Sequence, residues 1–409
     1  MIERFHESLL GEMLSSFPVV AVVGPRQVGK STLVTRAPIA QGRVYLTLDD
    51  ITTRSLAEED PRSFLDRPQP LTIDEVQLVP GLLREVKLRI DRQRTAGRYL
   101  LTGSADLDHC ADLAHVLAGR VGILQLPPIC RSEETATQRW RAWLTATDAA
   151  DLDAAFDGSE AQPFPFQRLL TGGFPLSLYA NSDRARALWM ESFRMTYLER
   201  DLRRISDIGN LADFNRLMQL AAVQTGTLVN QASMARDAGL SPATAGRYLS
   251  VLEASLLLRR IPPYFTNIGK RLVKSPKLFW TDTGLCAFLM GLGKLADLER
   301  EPHLRGRLFE TFVCNEVRAL LPFIDEPARL FHLRTHDRLE VDGLVEAGRR
   351  TLLFEAKASR TVTAADAAPL EKWMELNPGH GPAVVLYAGS AYQRLSRKVR
   401  AIPVSLLFG

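Results

Sequence analysis

The run Pro18-Val19-Val20-Ala21-Val22-Val23 leads directly into Gly24-Pro25-Arg26-Gln27-Val28-Gly29-Lys30-Ser31-Thr32. An apolar strand, a glycine-bounded turn and a helix start, in that order, leave few folds open. The turn has the spacing GxxxxGK[ST]. Gly24 and Gly29 free the backbone to point its N–H groups inward at phosphate oxygens. Lys30 brings positive charge to β- and γ-phosphates, and Ser31 brings a hydroxyl to Mg²⁺. A helix starting near Lys30 adds its amino-terminal dipole. Pro25, Arg26, Gln27, Val28 and Thr32 complete the candidate nucleotide contacts.

Further β-like runs follow at 44–48, 71–73, 99–102 and 121–126. Helix-like segments such as 81–93 and 107–118 separate them, which predicts a mostly parallel sheet covered by helices. Pro127-Pro128 closes this block. In Leu71-Thr72-Ile73-Asp74-Glu75, Asp74 ends a buried strand and would hold the water shell of Mg²⁺. Glu75, next to it, would orient and deprotonate an attacking water. Thr102 and Ser104, in Leu100-Leu101-Thr102-Gly103-Ser104, are candidates to sense the γ-phosphate; the alternative is a plain strand-ending turn. Arg120 is a candidate arginine finger toward a neighbouring subunit. Only nine of the 51 basic residues are lysines, so most arginines, Arg120 included, have solvation as the alternative.

Together these motifs resemble the bacterial and archaeal ATPases of the AAA superfamily, and among them those with a carboxy-terminal domain of unknown function. The resemblance spans nearly the whole chain. It extends through Tyr197-Leu198-Glu199-Arg200-Asp201, Phe279-Trp280-Thr281-Asp282-Thr283-Gly284-Leu285 and Gly306-Arg307-Leu308-Phe309-Glu310. It implies binding of ATP with Mg²⁺ and hydrolysis.

Residues 230–239 read as a short helix with a glycine end. Ser241-Pro242 then starts another, a serine cap followed by proline at the first helical position. This pair suggests helix-turn-helix, with residues 256–262 and 277–280 as a wing. Arg259, Arg260, Lys270, Arg271, Lys274 and Lys277 cluster around that hairpin, where they would meet DNA phosphates. Arg247 is the only basic residue in the middle of the second helix. Non-specific backbone contact is therefore the expectation, and a packing module without DNA the alternative.

Glu310 lies on an expected helix over 306–317. Asp342 lies on an expected strand over 341–346, and Glu355-Ala356-Lys357 ends another over 351–356. Residues two apart in a strand share a face, so Glu355 and Lys357 project together, and a hairpin brings Asp342 beside them. Carboxylates so placed hold Mg²⁺, and a lysine activates the attacking hydroxide. The pattern resembles the D…ExK signature of the metal-dependent nucleases found among restriction enzymes. Val341 stands where a proline often precedes the family aspartate. The alternative is a carboxylate–lysine salt-bridge cluster without catalysis. His332 is assigned no role.

The expected architecture is α/β and multidomain: a P-loop NTPase parallel sheet over 1–130, a helical connector over 131–205, a winged-helix-like domain over 206–285 and an α/β restriction-endonuclease-like domain over 286–409. With 46% hydrophobic and 24% charged residues, the 409-residue chain has the composition of a folded globular protein. A net charge of +4 permits nucleic-acid binding without demanding it. Cys110, Cys130, Cys286 and Cys314 form no CxxC pair, which fits buried thiols in a reducing cytoplasm. No apolar run is long enough to span a membrane. DNA and a second copy of the chain are the candidate partners.

Overall fold

Six consecutive buried residues, Val19–Gly24, form β1. A strand that apolar on both faces belongs in the middle of a covered parallel sheet, and β1 lies between two parallel neighbours. The computed structural model describes residues 2–104, 115–196, 210–264, 275–334 and 339–409. Cys110, residues 197–201, Lys270, Arg271, Lys274, His336 and most of the expected helix 107–118 lie outside the described residues. Ser104 is described in its backbone alone.

The described residues form two compact units, one reaching to Ile129 with Ser250–Leu257 added, the other holding the remainder. In the first unit, β1 is joined by β2 (Val44–Thr47), β3 (Leu71–Asp74), β4 (Tyr99–Ser104) and β5 (Val121–Gln125). All pairings are parallel, in the order β2-β3-β4-β1-β5. The amino-terminal helix α1 (His6–Ser16) buries His6 and Leu10. Helix α2 (Lys30–Thr35) follows the glycine-rich turn. Helix α3 (Leu82–Arg92) buries Leu82, Leu83, Val86 and Ile90, the helical spacing of a one-sided apolar face. These side chains join Val19, Ala21, Leu71, Ile73 and Leu101 in one core.

The second unit contains helix α4 (Leu211–Val223), β6 (Thr227–Leu228) and helix α5 (Gln231–Ala238). Helix α6 (Pro242–Ala254) comes next, its residues from Ser250 onward counted with the first unit, and β7 (Leu258–Ile261) and β8 (Lys277–Trp280) follow in the second. Asn230 caps α5, accepting from the Ser233 N–H at 3.0 Å. Gly239, left-handed at φ 67°, ends it. Ser241 accepts from the Thr244 N–H at 3.1 Å, as its position before proline predicts. The three strands form an antiparallel sheet in the order β6-β8-β7.

Helix α7 (Thr283–Leu289) is capped by the buried Asp282, which accepts from the Leu285 N–H at 2.7 Å and the Gly173 N–H at 2.5 Å. A side chain on Gly284 would come within 2.8 Å of the Thr171 backbone. The Thr281-Asp282-Thr283-Gly284 run is thus a docking joint. Helix α8 (Pro302–Leu320) follows, then a six-stranded mixed sheet. Its strands are β9 (Ala328–Arg334), β10 (Glu340–Ala347), β11 (Arg350–Lys357), β12 (Ala383–Tyr387), β13 (Gln393–Arg394) and β14 (Val399–Pro403). Their order is β13-β14-β12-β11-β10-β9, with parallel pairs β11/β12 and β12/β14. Helix α9 (Ala364–Leu376) packs Ala367, Leu370, Trp373 and Met374 into its core.

Candidate functional site

The loop 24–32 leaves the carboxyl end of β1 under tight constraint. A Cβ on Gly24 would collide with the backbone oxygen of Leu126. Gln27 and Gly29 have φ of 61° and 97°, a backbone that turns successive N–H groups into a concavity. Lys30 is buried, and its Nζ donates to the Gly24 and Pro25 carbonyls at 3.0 and 2.9 Å. The loop is braced from behind by Arg4, which the motif does not reveal. Its guanidinium donates to Val28 O at 3.0 Å and Pro127 O at 2.7 Å.

Sheet order brings the other candidates to this loop. Because β4 lies between β1 and β3, Thr102 pairs with Val22 on one side and its hydroxyl donates to Asp74 on the other. Ser31 Oγ lies 3.1 and 3.2 Å from the two Asp74 carboxylate oxygens. Tyr45, on β2, donates its hydroxyl to Asp74 Oδ2 at 2.7 Å. Burial, then the bond to the Asp74 carboxylate, raise the Tyr45 pKa above its usual value. Glu75 adopts a left-handed backbone, φ 57°, its N–H donating to Thr102 Oγ1 at 3.3 Å and its carboxylate receiving Gln77 Nε2. A non-glycine residue there is strained by about 1 kcal/mol. Asp74, Ser31 and a buried lysine beside an inward-turned backbone form a donor set that suits a Mg-bound triphosphate.

Arg120 stands elsewhere. It precedes β5 at the amino-terminal end of the sheet, opposite to Gly24 and Asp74, and its Nε is 2.5 Å from Asp91 Oδ1. Any contact with a nucleotide would have to be made to another copy.

The basic hairpin also differs from the expectation. Lys277 is 2% exposed and turned inward. Its Nζ lies 2.8 Å from Glu310, 2.8 Å from Glu340 and 3.3 Å from Asp342. Burial would lower its pKa, but the carboxylates of Glu310, Asp342 and Glu340 hold it well above the usual value. A lysine so held is not available to DNA phosphates. Neither Lys277 nor Glu340 is part of the D…ExK spacing: Lys277 reaches the cluster through tertiary packing, while Glu340 stands two residues before Asp342 on the same strand.

The structure does bring Glu310, Asp342, Glu355 and Lys357 to one place. The β10 register slips between Val341 and Leu344, an irregularity that re-aims Asp342. Gly343 is required there, since a Cβ would enter the Phe354 ring. Asp342 Oδ2 accepts from the Ala356 N–H at 2.9 Å, and Glu355 accepts from the Asp342 N–H at 3.4 Å. Lys357 Nζ donates to Glu355 at 2.9 Å. Burial and then the Asp342 charge push Glu310 up to about 8 and Glu355 up to about 7. These carboxylates face ammonium and amide donors, an arrangement that does not suit a divalent cation. Among the described residues, no group of three His, Cys, Asp or Glu side chains has metal-binding geometry. No described helix is long and apolar enough to cross a membrane.

Residues 16–134 match the AAA domain, 165–296 a domain of unknown function (DUF8612) and 305–407 another domain of unknown function (DUF4143). The uncharacterized proteins Mb2031c of Mycobacterium bovis and Rv2008c of Mycobacterium tuberculosis are each 33% identical over 356 residues, covering 86% of this chain and 73% of theirs. The solved Walker-type ATPase PABY2304 of Pyrococcus abyssi is 16% identical, with a TM-score of 0.43 over 71% of this chain and 96% of that one. The chain belongs to one family with the two mycobacterial proteins, carrying a P-loop ATPase domain of the AAA type ahead of two domains of unknown function.

Proposed function

We propose that the chain binds ATP with Mg²⁺ in the loop 24–32 and hydrolyses it, and that the nucleotide state sets how the following domains engage DNA. The observation that carries the first half is the approach of Ser31 to Asp74 at 3.1 Å beside the buried Lys30. When bound, Mg²⁺ supplies charge neutralisation on the phosphate oxygens. Lys30 exchanges the Gly24 and Pro25 carbonyls for phosphate oxygens. Ser31 and Asp74 orient the metal's ligand shell, and Thr102 holds Asp74 in place. Ser104, on the same strand end, is the second candidate to sense the γ-phosphate. Glu75 accepts the proton of the attacking water. Lys30→Ala should abolish phosphate release in a steady-state assay; undiminished turnover in that variant would refute the assignment. Glu75→Gln should keep nucleotide binding and lose turnover.

The DNA half rests on the α5–turn–α6 pair and the three-stranded sheet beside it, which support a winged-helix reading. Binding to duplex through its backbone should weaken steeply with salt. Affinity that stays constant between low and physiological salt counts against it.

A second reading is favoured by the inward turn of Lys277. Here ATP sets conformation, and the mixed-sheet domain is a nuclease-like scaffold that recognises a partner without cutting. Labelled duplex incubated with Mg²⁺ or Mn²⁺ separates the two. Cleavage lost in Asp342→Ala favours a nuclease; binding without cleavage favours the module.

A further inference from the structure

We propose that Lys277 takes the place of a divalent cation among Glu310, Glu340 and Asp342, so that the mixed-sheet domain keeps a carboxylate cluster but works without a metal. This deepens the second reading above and rests on it for the nuclease-like ancestry of the scaffold alone.

Three observations carry it. The first is position: Lys277 Nζ is within 3.3 Å of three carboxylates on two different elements, α8 and β10. A single small cation at the focus of several carboxylates is what a metal site presents. An ammonium and a divalent ion of the same sign cannot share that focus.

The second is anchorage. Lys277 lies on β8, the middle strand of its sheet, paired with Leu228 on one side and Ile261 on the other. Leu278, Phe279 and Trp280, which follow it, are buried. The ammonium is therefore carried on a rigid strand, unlike a surface lysine on a free stem.

The third is the engagement of the neighbouring carboxylate oxygens by protein donors. Asp342 Oδ2 is committed to the Ala356 N–H, and Glu355 to Lys357 and the Asp342 N–H. A divalent ion at the Glu310–Glu340–Asp342 focus would have to displace the Lys277 ammonium.

The test uses the full chain carrying Asp74→Ala, which silences the nucleotide site, and counts bound Mn²⁺ by electron paramagnetic resonance without nucleotide. That chain should hold no tightly bound ion. Adding Lys277→Met should create a site for one Mn²⁺ per chain, lost again on adding Asp342→Asn. Binding of an ion by the Asp74→Ala chain that Asp342→Asn removes would overturn the proposal. So would a folded Lys277→Met chain that takes up no Mn²⁺. If Lys277→Met does not fold, the count on the Asp74→Ala chain decides alone. Cleavage of duplex by the unmodified chain would refute the non-cutting reading by itself, whereas the ion count judges Lys277.

Discussion

Ser31 Oγ lies 3.1 Å from Asp74 Oδ2, although the two residues are 43 positions apart. They meet because parallel strands end at the same edge of the sheet, where the loop after β1 turns back. If the pair acts as a unit on one metal ion, its effects should not add. Ser31→Ala and Asp74→Ala should each lower phosphate release by about 10²-fold or more, and the double variant should be little worse than Asp74→Ala. Steady-state assays over a range of Mg²⁺ concentrations check this; strictly multiplicative losses would separate the two roles.

Gly24 and Gly29 are glycine for different reasons. At Gly24 a Cβ meets the Leu126 backbone oxygen, and backbone cannot move aside as a flexible side chain does. At Gly29 nothing lies within 4 Å, but φ is 97°. Gly24→Ala should destabilise the first unit by about 3 kcal/mol, the cost of overpacking. Gly29→Ala should cost about 1 kcal/mol, the backbone term alone. Urea titration of both variants tests the order, which reverses if space is not the constraint at Gly24.

Asp282 is buried and accepts backbone N–H groups from Leu285, capping α7, and from Gly173 and Phe174. Asp282→Ala leaves these donors without their acceptor and should cost about 2–4 kcal/mol. Asp282→Asn retains one acceptor oxygen and should cost less. Equal stability of the two variants by thermal melting would mean that the carboxylate is not what joins these segments.

His332 is 1% exposed, and burial, with the Lys277 charge adding to it, pushes its pKa down to about 4 from 6.5. The unfolded chain therefore binds a proton that the folded one refuses between those values. The stability this imidazole contributes is present in full above pH 6.5 and is lost as pH falls toward 4, by at most about 3 kcal/mol. Glu310 and Glu355, whose values are raised, change stability in the opposite direction, losing it as pH rises above 4.5. Comparing the wild type with His332→Leu isolates the histidine: the wild type should lose more stability between pH 6.5 and 4. Parallel pH profiles would show that His332 does not carry that dependence.

The glycine-rich turn, the acidic end of β3, the Ser241 cap and the ExK pair on β11 were all legible without coordinates. Each is set by residues within about ten positions of one another, where backbone geometry translates spacing directly into shape. Spacing does not place Lys277: a basic residue beside a hairpin suggests a DNA-facing position, yet it turns inward because three carboxylates from α8 and β10 offset its desolvation.

Local spacing by itself determined that a phosphate-type loop follows a buried strand, and that acids stand ready at strand ends. Tertiary structure decided which of those residues meet. The placement of β4 between β1 and β3 sets Thr102 against Asp74. The packing of β2 delivers Tyr45, and Arg4 reaches Val28 from the far end of α1. Periodicity states which face of an element is covered but not by what. The partner of a long-range contact is selected only when strand order, register and burial are satisfied together.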